Sequence, residues 1–389
     1  MAMNDETHTK DEALEWPAVH MAAKSSYDCI VVGLGAMGSA CVYQLARRGA
    51  SVLGLEQFDI AHAWGSSGGV SRQTKVMPYL GGPYEPLIRR ANENWRLLEE
   101  DSGQKVFHQC GYLQLGPNQL LSPAEATETE LLDEAALARQ YPQFQGLPTG
   151  TNGLLDHQGG LLLSELAIAT HSQVALQRGA HIRAREPVTD WSTDRSGVTV
   201  TTERGKYRAR HLVIAGGAWS ATLLPQLRDE LQVTRLSLGW FAPDPPTSFA
   251  LGDFPVWFHD HYYGFPVLPD FPGFKVAKHW HGDPTDPDHF NRTPGAADEQ
   301  LLRDYLGRHL PSANGSVLAS KVCMYTHGGP WLGHVPGEDR VTIVAACNGG
   351  GFKFASAYGE ALADLATEGR TELPVGFMAL TNTRTQALP

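Results

Sequence analysis

The apolar positions of this chain fall into short β-branched runs that lead into glycine turns. The clearest begins at Cys29-Ile30-Val31-Val32, a run of the kind that forms a buried parallel strand. Gly33-Leu34-Gly35-Ala36-Met37-Gly38 follows at once, and then a helical pattern with Met37, Cys41 and Leu45 four residues apart. Arg47-Arg48-Gly49 supplies basic residues in a last turn and a glycine stop. A second strand, Ser51-Val52-Leu53-Gly54-Leu55, ends at Glu56. Farther on, Arg89 to Glu100 predicts a helix with Trp95 and Leu98 as core contacts. His181 to Arg210 predicts a small antiparallel sheet, and His211 to Trp219 a buried strand entering a small-residue turn. Val341 to Ala346 predicts a strand, followed by Gly349-Gly350-Gly351 and a helix from about Ala355 to Glu368. Breaks rich in Pro or Gly lie near 78–86, 142–153, 242–255 and 266–273.

Each glycine of the first turn has a physical role. Gly33 permits the tight turn, Gly35 lets backbone approach a pyrophosphate, and Gly38 lets helix and strand pack closely. The helix N-terminus offers free N–H groups and partial positive charge to phosphates. Glu56 at the end of the second strand can accept ribose hydroxyls and would repel a 2′-phosphate, which argues against NADP. A lone GxGxxG is often only a turn. Here strand, helix, second strand and terminal acid all fall in the places a dinucleotide requires. The fingerprint alone leaves FAD and NAD open.

Composition narrows the picture. With 389 residues the default is two interleaved or consecutive domains. A net charge of −11 argues against nucleic acid or an anionic membrane as partner, and there is no apolar run of spanning length. Five scattered cysteines without CxxC point to a reducing compartment, with neither a disulfide framework nor structural zinc. Residues 1–26 read as a polar tail and lack the pattern of a secretory signal, so a cytoplasmic protein is expected. His279 and His281 would share one strand face, but Asp283, Asp286, Asp288 and His289 read as a solvated loop broken by Pro, and no metal is expected.

Six segments, in order, carry a resemblance. They are Tyr27–Glu56, Gly65-Ser66 with Arg72, Gly217-Ala218-Trp219, Tyr262-Tyr263-Gly264-Phe265-Pro266, Cys323-Met324-Tyr325-Thr326 and Gly351-Phe352-Lys353-Phe354. Together they resemble the monomeric sarcosine oxidase and N-methyltryptophan oxidase family. The resemblance implies an α/β (α+β overall) fold, in which a glutathione-reductase-type FAD-binding Rossmann domain is interleaved with a substrate domain built on an antiparallel sheet. Residues 27–82, 151–229 and 319–389 would form the first, and 83–150 with 230–318 the second. It further implies oxidation of a secondary amine or amino-acid derivative, with a hydride equivalent passing to FAD and oxygen reoxidising it to give hydrogen peroxide. A monomer or small homo-oligomer is expected.

Site residues follow from the same resemblance. Cys323 matches the cysteine that holds the flavin covalently, Lys275 the lysine that promotes reaction with oxygen, and Arg72 an arginine near the flavin ring. Lys353 matches a residue that pairs with the substrate carboxylate. Tyr263, His279 and Tyr325 match residues on the substrate side of the flavin. Gly33, Gly35, Gly38, Glu56, Gly217 and Gly350 are further cofactor-side positions. There are departures. Gly65-Ser66-Ser67-Gly68-Gly69 replaces a pair of histidines after Gly-Ser. Lys75 stands for an arginine, Gly350 for a histidine, and His327-Gly328-Gly329-Pro330-Trp331 for an acidic segment. These changes remove bulk and a basic group, so the expected substrate is an N-methyl or cyclic imino acid larger than sarcosine, or one that lacks its simple carboxylate geometry. Two alternatives stay open: a flavin dehydrogenase using another acceptor, and a non-catalytic or NAD-linked dinucleotide-binding protein.

Overall fold

A computed structural model describes residues 26–117, 128–279 and 282–380. Residues 1–25 of the expected tail and His281 lie outside these residues. Two large sheets organise the described part of the chain. In the first, His181–Arg183, Val52–Leu55, Tyr27–Val32, Gly205–Ile214 and Glu338–Ala345 lie side by side and parallel. The antiparallel pair Val188–Asp194 and Gly197–Thr202 joins its edge through Gly205–Ile214. This is the expected nucleotide-binding layer. Its central strand, Tyr27–Val32, is buried along nearly its whole length, which is why it reads as a continuous apolar run.

Helix Ala36–Arg47 leaves that strand directly and packs against Ala355–Glu368, the last long helix. Their approach is close because small residues face each other: a Cβ on Gly359 would lie 2.5 Å from Ala40 Cβ. Gly38 is tighter still, since a Cβ there would fall 1.8 Å from Gly33 O. The predicted glycine role in helix–strand packing is therefore a steric necessity here.

The second sheet is nine-stranded and mainly antiparallel. Gln232–Phe241 pairs with Val317–His327 on one side and with Phe274–Lys278 on the other. Tyr262–Phe265, Val256–His259, Tyr112–Pro117, Thr151–Asp156 and Thr129–Leu132 continue it outward. Behind it lies an aromatic core containing Trp257, Phe274, Tyr305 and Phe249. Val317–His327 thus brings its middle residues over the mouth of the first sheet.

The chain crosses between layers at other points than 83, 151 and 319. Helix Glu85–Ser102 sits on the nucleotide side, with Asn94 and Arg90 both bonded to Glu360 at 2.7 Å. Thr151–Asp156 belongs to the nine-stranded sheet, and residue 319 falls inside strand Val317–His327. Periodicity marks where an element lies; partner choice depends on contacts distant in sequence.

Replacing Gly38 with Ala should lower unfolding free energy by at least about 2 kcal/mol, because the neighbour is backbone and cannot swing away. Urea titration followed by circular dichroism measures this; an unchanged midpoint would contradict the packing argument.

Candidate active site

A cavity of about 230 Å³ lies between the two sheets. One end is built by the first glycine turn. Gly33 adopts φ +86°, and a Cβ there would strike Ala215 O at 2.5 Å. Gly35 has only Ser67 Oγ near its open side, at 3.8 Å, so bare backbone faces the cavity. Glu56 is buried and fixed: its Oε2 accepts from Leu34 N (2.7 Å) and its Oε1 from Phe58 N (3.0 Å). His62, unremarked in the sequence, stands 3.5 Å from the same carboxylate.

At the other end, strand alternation sets the chemistry. Lys321, Cys323 and Tyr325 are two residues apart on Val317–His327 and share one face. Cys323 Sγ lies 3.5 Å from Ser66 O and 3.7 Å from Arg72 Nη2. Burial works against the Arg72 charge, but Cys323, Tyr263 and Glu165 more than offset it and hold its pKa above the usual arginine value. Tyr325 Oη is 3.3 Å from Tyr263 Oη and 3.2 Å from His279 Nδ1, forming a hydroxyl–imidazole chain. Burial, with Lys75 and Lys353 adding to it, pushes His279 down to about 4, so this imidazole is neutral at physiological pH. Lys353 is buried, bonded to Gly350 O, and lines the cavity. Its place is held from behind by Trp95, whose Nε1 donates to Lys353 O (3.1 Å).

Of the expected residues, Gly33, Gly35, Glu56, Arg72, Gly217, Tyr263, Cys323, Tyr325, Gly350 and Lys353 line the cavity. Gly38, Lys75, Lys275 and His279 are not among its lining. Gly38 acts by packing, and His279 connects through Tyr325. His279 follows the last residue of strand Phe274–Lys278, its N donating to His261 O (2.6 Å). Lys275 is buried with its ammonium turned to Gly69 O (2.7 Å) and Ser71 O (2.6 Å). Lys75 donates to Tyr112 Oη (2.6 Å) and sits 4.1 Å over that ring. Burial, aided by nearby Lys353, pushes Lys75 well below the ordinary lysine range. No group of three or more metal-ligating side chains occurs among the described residues.

The expected loss of a basic group after Ser66 is corrected by the fold. A Cβ at Gly68 would lie 2.4 Å from Lys321 Nζ, so the ammonium of Lys321 fills that space. The available signal was its spacing, one strand period before Cys323.

The cavity also carries unsatisfied chemistry. Ser66 Oγ, Gln73 Oε1 and Thr326 Oγ1 are buried without a hydrogen-bond partner, and all three residues line it. Buried polar atoms are almost always paired. A concentration of orphans in one cavity fits a polar ligand.

Lys75→Met should stabilise the protein at neutral pH by about 1–2 kcal/mol, since an isosteric apolar chain replaces a desolvated amine. The folded pKa of Lys75 lies below the unfolded value, so the native lysine regains stability as pH rises from its folded pKa toward about 10.4. The advantage of Met should shrink over that window in thermal melts; a pH-independent difference would contradict it.

The family profile described as FAD dependent oxidoreductase matches residues 28–365. The monomeric sarcosine oxidase of Streptomyces avermitilis is 34% identical over 373 residues, covering 90% of this chain and 96% of that protein. The N-methyl-L-tryptophan oxidase of Citrobacter koseri is 33% identical, covering 87% and 94% respectively. Among solved structures, NikD, an amino acid oxidase of nikkomycin biosynthesis, superposes with a TM-score of 0.80 at 25% identity, covering 94% of this chain and 100% of NikD. The chain belongs to the FAD dependent oxidoreductase family, alongside the monomeric sarcosine oxidases, and is a flavoprotein oxidoreductase.

Proposed function

We propose that the protein is an oxidase of a secondary amine or amino-acid derivative larger than sarcosine, using oxygen and releasing hydrogen peroxide. The observation that carries this reading is the single cavity that joins the glycine turn and Glu56 to Arg72, Cys323, Tyr263, Tyr325 and Lys353. The orphaned Ser66, Gln73 and Thr326 atoms support FAD as its occupant.

In this reading Gly33, Gly35 and the N-terminus of helix Ala36–Arg47 take the pyrophosphate, and Glu56 takes a ribose. Gly217 and Gly350 leave backbone exposed to the cofactor. When bound, FAD supplies the acceptor for a hydride equivalent and passes two electrons to oxygen. Cys323 is the residue for covalent attachment, with the guanidinium of Arg72 3.7 Å from its sulfur.

On the substrate side, Lys353 pairs with a carboxylate, with Lys75 behind it. Neutral His279 accepts from Tyr325 and keeps the two hydroxyls oriented toward the amine. The cations around the site favour the neutral amine, the form whose C–H can be oxidised. Lys275 contributes a fixed charge that favours oxygen reduction. A preference for a larger substrate rests on Gly350, where a Cβ would meet nothing closer than 3.6 Å.

A dehydrogenase using another acceptor is the second reading. It is favoured by Lys275 being turned to backbone carbonyls rather than lining the cavity.

Peroxide assays across sarcosine, proline, pipecolate and N-methyl aromatic amino acids separate these readings. Peroxide with kcat/KM at least about tenfold higher on a larger substrate than on sarcosine is expected. A preference for sarcosine would overturn the size argument, and turnover only with an artificial acceptor would establish the dehydrogenase.

A further inference from the structure

The turn from Ser66 to Arg72 is held by charges of both signs, and only its cations were legible in the sequence. Arg72 Nη2 donates to Ser66 O (2.9 Å) and Gly68 O (2.5 Å), while Lys275 Nζ donates to Gly69 O and Ser71 O. The N–H groups of the same turn go elsewhere. Glu165 Oε1 accepts from Gly69 N (2.6 Å) and Oε2 from Val70 N (2.9 Å), with Ser164 Oγ donating to Oε2 (2.7 Å). The turn is strained: Val70, a β-branched residue, adopts φ +69°, and Gly69 adopts φ +125°. Such a conformation persists only where the surroundings over-determine it. The two N–H groups flanking the strain are the ones Glu165 holds.

Glu165 also stands among cations. Lys321 Nζ is 3.8 Å from its carboxylate, and Lys321 is the residue that fills the space over Gly68. Burial opposes the Glu165 charge, yet Ser164, Gly69, Arg72 and Lys321 prevail and hold its carboxyl below the usual range.

We propose that Glu165 is a positioning residue: by fixing the 66–72 turn in its strained form it sets where Lys275 and Arg72 lie beside Cys323. This rests on the reading of Lys275 as the charge that favours oxygen reduction. Glu165 itself touches neither the reacting atoms nor the cavity wall. It acts through two carbonyl groups that Lys275 grips and through the guanidinium that follows the turn. Without both N–H anchors, Val70 relaxes to negative φ and the carbonyls of Gly69 and Ser71 rotate away from Lys275.

Stopped-flow kinetics on the holoenzymes of wild type, Glu165→Gln and Lys275→Met separate the half-reactions, with N-methyl amino acid as reductant and oxygen as oxidant. Glutamine keeps the size but can accept from only one N–H with full strength. Reoxidation by oxygen should slow by about tenfold to 100-fold in Glu165→Gln, as expected of a misplaced catalytic charge. Anaerobic flavin reduction should change by less than about threefold. Equal slowing of both half-reactions would mark a merely structural role and overturn the proposal. Wild-type reoxidation in Glu165→Gln, with Lys275→Met slow, would overturn it while leaving the role of Lys275 intact. Rapid reoxidation in Lys275→Met would remove the underlying reading and this proposal with it. Should Glu165→Gln fail to fold, Glu165→Asp carries the same test, because the shorter carboxylate cannot span both N–H groups.

Discussion

Removing an ammonium or guanidinium from water costs several kcal/mol unless hydrogen bonds replace its hydration. Here the carbonyls of residues 66–71 replace it for both Arg72 and Lys275. The rest of the site is arranged around that constraint. The turn must present four carbonyl groups inward, which requires positive φ at Gly69 and Val70. It must also bury two cations from different sheets: Arg72 lies on strand Ser71–Thr74 of a three-stranded sheet, and Lys275 comes from the nine-stranded sheet.

The same arrangement concentrates positive charge in an acidic protein. Arg72, Lys275, Lys321, Lys75 and Lys353 all lie close to the cavity, though the chain as a whole carries −11. Burial and mutual repulsion depress Lys275, and burial also depresses Lys75 and Lys321. A cofactor rich in phosphate and a carboxylate substrate would each relieve part of this repulsion. Binding and catalysis then draw on the same electrostatics: charges already fixed before the reaction need no reorganisation during it.

Local pattern carried much of the architecture. Ile30–Val32, the spaced glycines and Glu56 are recognisable because strand, turn and terminal acid occur within thirty residues of each other. Ala355–Glu368 was readable for the same reason. What escaped was long-range. Nothing near Thr151–Asp156 says that it pairs with Tyr112–Pro117, and nothing near Glu85–Ser102 says that it joins the nucleotide layer. Lys321 and Glu165 were missed as site residues because their importance lies in a carbonyl turn about 100 or more residues away in sequence. Gly68 looked like lost chemistry, but the missing base returns from another strand.

In the proposed function FAD fills this cavity with its ring end against Cys323. Acid precipitation of the purified protein, with the visible spectrum of pellet and supernatant recorded, tests it most directly. A flavin band that stays with the wild-type pellet and moves to the supernatant in Cys323→Ser is expected. Flavin released in full from the wild type, or a colourless protein that gains no absorbance with added FAD, would contradict it.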